Sequence, residues 1–227
     1  MATGYWYGQP EYVEIWIEKN DLFNAFKTLL KDRYVNIRAN KGYSSLDFLN
    51  RCAIELKEEI IEAEGFEPEN IYVGYCGDWD PSGENMEYYM KRRLKMLGVG
   101  NINFIRIAVT LEQIDKYHLP LLPNEKAPNK KMPNPGTEAE FIRRYGNKAT
   151  HLNAFLTETR FEIFKNEILL PFVDSHWDQQ IYDEMVEEYE IKTPEPPSLT
   201  DEELEEARSR MYQKITEAFR PGWENEQ

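Results

Sequence analysis

Cysteine is scarce in this chain: 227 residues hold only Cys52 and Cys76, with no C-x-x-C pair. That is too few for a disulfide framework or a thiolate metal ribbon, and both read as reduced core residues of a cytoplasmic protein. Histidine is nearly as rare. His118, His151 and His176 show no H-x-x-x-H spacing, which argues against zinc. His176, in "DSHWD", reads as a position on a solvated helix face. Phosphate-binding glycine loops are missing as well, since no G-x-x-x-x-G-K-[ST] occurs. "GVG" at 98–100 follows a helical stretch rather than a strand, so it reads as a helix stop. There is no G-x-S-x-G elbow, and Ser44 and Ser82 have no basic neighbour to activate them. No apolar run approaches the ~18–20 residues of a membrane span, so no membrane partner is expected. The opening "MATGYWYGQPEYVEI" lacks the basic-then-apolar order of a signal peptide.

Positive charge is also short. Lys and Arg total 27 against 41 Asp and Glu, a formal net charge of −14, which disfavours nonspecific binding to a polyanion. Much of the acid lies late, at 184–190 and 201–206, whereas bases gather at Lys91, Arg92, Arg93 and Lys95 and at Arg143 and Arg144. A local nucleic-acid surface therefore remains compatible with the total. With 41% hydrophobic and 13% aromatic residues, the chain can build a core, so global disorder is excluded. Tyr5, Trp6 and Tyr7 read either as an amino-terminal arm (1–10) packed on the domain or as a stacking surface.

What is present is alternation. "EYVEIWIE" (11–18) is β-rich and predicts a first strand. "DLFNAFKTLLKDRY" (21–34) puts Leu22, Phe23, Phe26, Leu29 and Leu30 on one helical face, with Asp21 as its expected N-cap. A second strand at 35–39 leads through the turn "NKGYSS" to a long amphipathic helix at 46–65. Strand 71–77, helix 82–97 and strand 102–110 complete a β-α-β-α-β-α-β order. Strands alternating with helices imply parallel crossovers and a sheet covered on both faces. Beyond 110, the proline-rich stretch 112–141 reads as a long surface loop. Residues 138–146 and 157–190 read as helical, the latter within a helical extension (156–192). "KTPEPPS" is a linker to an acidic helix at 199–219 that opens on a Thr200/Glu203 capping box.

In open α/β sheets the functional crevice lies outside the carboxyl ends of the strands. Glu18, Asp78 and Asp80 all fall at those ends. Asp80 followed by Pro81 fits an N-cap with proline at the first helical position. Asp78 has no such task, and Glu18 closes an otherwise apolar strand. Three converging carboxylates suit a hard cation such as Mg²⁺, which prefers oxygen ligands and keeps waters for a phosphate substrate.

An acid after the first strand and a D-x-D after a later one resembles the Toprim pattern. In particular, "VEIWIEKNDL", "NKGYSS", "GYCGDWDPSGENM" and "RIAVTLEQIDKYHLP" are similar, in order, to the Toprim region of the DNA-cleaving subunit of topoisomerase VI and its meiotic double-strand-break relative. The similarity covers residues 11–155. It implies a Rossmann-like, mostly parallel four-stranded sheet, and a Mg²⁺ site (Mn²⁺ as substitute) made by Glu18, Asp78 and Asp80. Asp78 and Asp80 would ligate the metal; Glu18 would ligate it or act as general acid/base. Lys19, Gly42, Ser44 and Arg106 stand at family positions in supporting roles. The family tends to carry E-L-D-A-L where this chain reads "HLNAF" at 151–155, so any contribution of those two acids is absent or altered.

The family's nucleophile is a tyrosine on a preceding winged-helix domain, for which there is no room before residue 11. The expectation is therefore a component of DNA strand cleavage and rejoining, an isomerase-type topology change, with DNA and a tyrosine-bearing domain or subunit as partners. It leaves room for a homodimer and for association with the nucleoid. The alternatives are a stand-alone nuclease using water, a non-catalytic interaction module, and, more weakly, a phosphotransferase or primase-like role.

Overall fold

The computed structural model describes residues 6, 8–39, 46–63, 65–122 and 135–192. The turn holding Gly42 and Ser44, Tyr5 and Tyr7, residues 193–198 of the linker and the acidic helix with its Thr200/Glu203 box lie outside these.

Four strands form one all-parallel sheet in the order β2-β1-β3-β4: β1 (Tyr12–Ile17), β2 (Asn36–Ala39), β3 (Ile71–Cys76) and β4 (Asn103–Ala108). Helices intervene, as the alternation predicts: α1 (Phe23–Leu29), α2 (Leu46–Ile54) running on into π-helical turns (Glu55–Glu62), and α3 (Pro81–Met96). The α/β class read from sequence is therefore the class observed. All six β1 residues are buried, as expected for a central strand covered on both faces.

The two faces follow the two-residue period of the strands. On one, Trp16 of β1 meets Phe48 of α2 and Phe104 of β4 edge-on, and Lys91 of α3 lies over Phe104. Met86, Met90 and Leu94, four residues apart, bury the inner stripe of α3. This face also encloses a charge. Glu14 is fully buried and accepts from Trp16 Nε1 (2.8 Å), Tyr12 Oη (3.1 Å) and Arg38 Nε and Nη2 (2.6 and 2.7 Å). A buried carboxylate is tolerated when paired and hydrogen-bonded in this way.

The other face holds α1 and the helical segment α6 (161–174), with Phe26 edge-on to Phe164. A Cβ on Gly74 would stand 2.6 Å from Phe172 and 2.8 Å from Ile15. The bare glycine thus lets α6 settle onto β3.

Several local expectations change. Asp21 does not cap: it sits inside a 3₁₀ turn (Asn20–Leu22), and α1 starts at Phe23 without a side-chain cap. The stretch read as a loop from 112 contains α4 (Leu111–Lys116), started by a capping box between Thr110 and Gln113, and α5 (Pro135–Tyr145) begins before 138. Trp6 is 1% exposed and packs edge-on to Tyr12 and Trp177, so it is core rather than a stacking surface. His176 lies in the turn between α6 and α7 (Gln179–Lys192), stacked on Tyr72 with Nδ1 2.6 Å from Glu11, not on a solvated helix face. The chain divides into two compact units, residues 1–182 and 183–227; the described part of the second is the remainder of α7.

Candidate metal centre

The chain passes from β1 outward to β2, returns across β1 to β3, then continues to β4, so the switch point of the sheet lies between β1 and β3. Their register pairs Tyr12 with Ile71 and Ile17 with Cys76, and the two strands end level. The Glu18 N–H still donates to Cys76 O at 3.0 Å. The next side chains on each side are Glu18 and Lys19, and Asp78 across from them.

Glu18 is 8% exposed, and its Oε2 accepts from the Asp78 backbone N–H at 2.8 Å and lies 3.4 Å from Tyr75 Oη. Burial, then the charge of Asp78, push its carboxyl up to about 7, against the Asp78 N–H. A Cβ on Gly77 would stand 2.7 Å from Glu18 Oε2 and 2.5 Å from Tyr75 Oη, so the bare glycine lets both side-chain ends stay where they are.

Asp78 is 3% exposed and fully engaged. Oδ1 accepts from Leu152 N at 2.9 Å; Oδ2 accepts from Lys19 Nζ at 2.6 Å and lies 2.7 Å from His151 Nδ1. Burial alone would raise its carboxyl. The Lys19 hydrogen bond, the Leu152 N–H and His151 outweigh that and hold it below the usual range. Asp80 does cap α3: its Oδ1 accepts from Gly83 N at 2.7 Å, with Pro81 first in the helix. A Cβ on Gly83 would collide with the Asp78 carbonyl, so glycine lets the loop fold tightly onto the helix. Burial raises the Asp80 carboxyl and the Asp78 charge adds to this, while the Gly83 N–H opposes both.

Arg106 of β4 braces this loop rather than facing solvent. Nη1 donates to Gly77 O (3.3 Å), Asp78 O (3.1 Å) and Val109 O (3.3 Å), Nη2 to Gly83 O (3.0 Å), and Nε to Glu87 (2.6 Å). Its guanidinium also lies over Tyr75 and Trp79.

Among the described residues, Asp78, Asp80 and His151 bring one ligand atom each within 4.8 Å of one another, a set that could hold a metal ion. Two carboxylates and an imidazole are a donor set that suits a dication. Glu18 stands beside this set, tied to it through the Asp78 N–H. His151 is the residue that sequence spacing misses, because its partners come from a distant loop. Trp79 and Thr150 exchange two backbone hydrogen bonds of 2.9 Å, which lays residues 150–152 along the Asp78 loop. The only sequence signal is its place at the head of "HLNAF". No protein-family model and no curated protein sequence matches the chain.

Proposed function

We propose that the chain is a Toprim-type, divalent-metal-dependent component of DNA strand cleavage and rejoining. The observation that carries this reading is the convergence of Glu18, Asp78 and Asp80 at the level carboxyl ends of the two central strands, at the switch point of a parallel sheet. Asp78 and Asp80 would hold the ion, which when bound would supply Lewis-acid stabilisation of a phosphodiester. Glu18, whose carboxyl burial and the Asp78 charge push up to about 7, would stand beside the ion as the group to deliver or accept a proton at the scissile oxygen. Lys19, one-third exposed beside Asp78, offers a positive charge to a phosphate. Exposed Arg92 and Lys95 on α3, the helix capped by Asp80, extend that positive character away from the site. The nucleophile in this reading is a tyrosine from a winged-helix segment or partner.

One observation favours a second reading, a non-catalytic interaction module: both oxygens of Asp78 are already satisfied within the chain. Calorimetric titration of the full chain with Mg²⁺ and Mn²⁺, followed by anisotropy of a labelled DNA duplex, separates the two. The metal reading expects saturable divalent binding, abolished in Asp78→Asn with Asp80→Asn, and DNA affinity that rises with metal in the wild type alone. No binding at millimolar ion, or binding unchanged in the double variant, overturns it and leaves the interaction module.

A further inference from the structure

The imidazole of His151 sits where an oxygen-only magnesium site has no use for it. It is not a wandering surface side chain. Thr150 is held to Trp79 by two backbone hydrogen bonds and to Pro120 O by its hydroxyl, and the Leu152 N–H is held by Asp78 Oδ1. The backbone is thus fixed on both sides of residue 151, and Leu152, Ala154 and Phe155 anchor the following 3₁₀ turn in the core. The ring has no packing task, since its side chain is 46% exposed. Its Nδ1 lies 2.7 Å from Asp78 Oδ2. A bound ion would take the place of that hydrogen bond, with Nδ1 and the carboxylate both turned to it. In an octahedron of ~2.1 Å bonds neighbouring donors stand ~3 Å apart, so Nδ1 is the ring nitrogen placed to share an ion with Asp78, and His151, Asp78 and Asp80 each bring a ligand atom within 4.8 Å of the others.

We propose that His151 is a nitrogen ligand of this centre and that it biases the site toward a first-row transition-metal dication of the Mn²⁺ class over Mg²⁺. The inference rests on the reading of Asp78 and Asp80 as metal ligands and adds the identity of the ion. Magnesium demands hard oxygen donors and a full octahedron, and it gains little from imidazole. A borderline dication gains from both donor types, so one nitrogen beside two carboxylates separates the two ions. Lys19 does not offer the same choice, because a protonated amine has no lone pair to give.

The test uses the full chain and each metal ion alone. Mn²⁺ and Mg²⁺ affinities are measured by calorimetry for the wild type, His151→Ala and His151→Asp, with circular dichroism as the check on folding. Frozen-solution electron paramagnetic resonance of bound Mn²⁺ is searched for ¹⁴N modulation. The wild type is expected to show ¹⁴N coupling and a marked preference for Mn²⁺. His151→Ala is expected to lose the coupling and about tenfold or more of Mn²⁺ affinity, with Mg²⁺ affinity little changed. His151→Asp is expected to move the preference toward Mg²⁺. An unchanged Mn²⁺/Mg²⁺ ratio and no ¹⁴N signal, with binding still lost in Asp78→Asn plus Asp80→Asn, overturns the role of His151 and leaves the metal centre standing. Absence of binding by either ion to the wild type overturns both.

Discussion

Glu18 ties the Asp78 loop to the end of β1 with the same carboxylate that the proposed chemistry would use. Its Oε2 is the acceptor for the buried Asp78 N–H, and its proton affinity is set by burial and by Asp78. Substitution can separate the two. Glu18→Ala leaves that N–H unpaired and is expected to cost about 1–3 kcal/mol in urea denaturation. Glu18→Gln keeps an acceptor in place and should stay within about 1 kcal/mol of wild type, while removing the exchangeable proton. If Glu18 is the acid/base, metal-dependent DNA cleavage in the complete assembly falls about 10²-fold or more in the Gln variant. Equal activity in Gln and wild type would assign Glu18 to structure alone. The same distinction separates what is legible in the sequence. The acids are visible there because each interrupts an apolar strand end. His151 is not, because a residue brought in by a backbone bridge from a distant segment leaves no local spacing.

At the scale of elements, the site depends on how β4 grips the loop between β3 and α3. Arg106 reaches from β4 to three carbonyls of that loop and helix start, those of Gly77, Asp78 and Gly83, and Glu87 of α3 holds its Nε. Burial would raise the Glu87 carboxyl, but the charge of Arg106 and hydrogen bonds from Lys91 and Arg106 hold it below its ordinary value. A carboxyl depressed in the folded state contributes stability that is present above its unfolded pKa of ~4.3 and is lost as pH falls through the folded value. Glu87→Gln is therefore expected to destabilise the protein by about 1–3 kcal/mol at pH 7, with the difference from wild type fading in acid. Thermal melts from pH 7 down to pH 3 check this; a penalty that does not depend on pH would show that the pair contributes through packing alone. Strands and long helices are legible as elements because their periods of two and 3.6 are written in the apolar residues. The short α4 is not. Its Thr110/Gln113 box lies just ahead of prolines that dominate the stretch, and a six-residue helix carries too few periods to stand out.

At the scale of the whole molecule, the sheet gathers its acids at one end and is closed at the other. The acids lie at the carboxyl ends of β1 and β3. At the amino ends, Trp6 packs against Tyr12 and Trp177, and His176 stacks on Tyr72 and pairs with Glu11. The Gln9 side chain bonds both the N–H and the carbonyl of Asp178, and Arg33 holds Asp174 with two hydrogen bonds. A cavity of about 290 Å³ opens there beside Trp6, Arg33, Asp174 and Trp177, well away in the topology from the carboxylates. The acid-bearing end is legible in the sequence because parallel topology dictates where loops gather. The closing end is not, since it joins residues about 170 apart through aromatic edges that no periodicity encodes. This division makes a prediction. Trp6→Ala removes a fully buried indole from the amino end and is expected to cost about 3–5 kcal/mol of stability. Trp6→Phe should cost less, because Trp6 Nε1 has no hydrogen-bond partner to lose. In both variants, wherever the fold persists at about 15 °C, near the usual temperature of maximum stability, Mn²⁺ affinity should match wild type, because the level ends of β1 and β3 are set by their own ladder. A Mn²⁺ affinity that falls in step with stability would show that the two ends are coupled through the sheet.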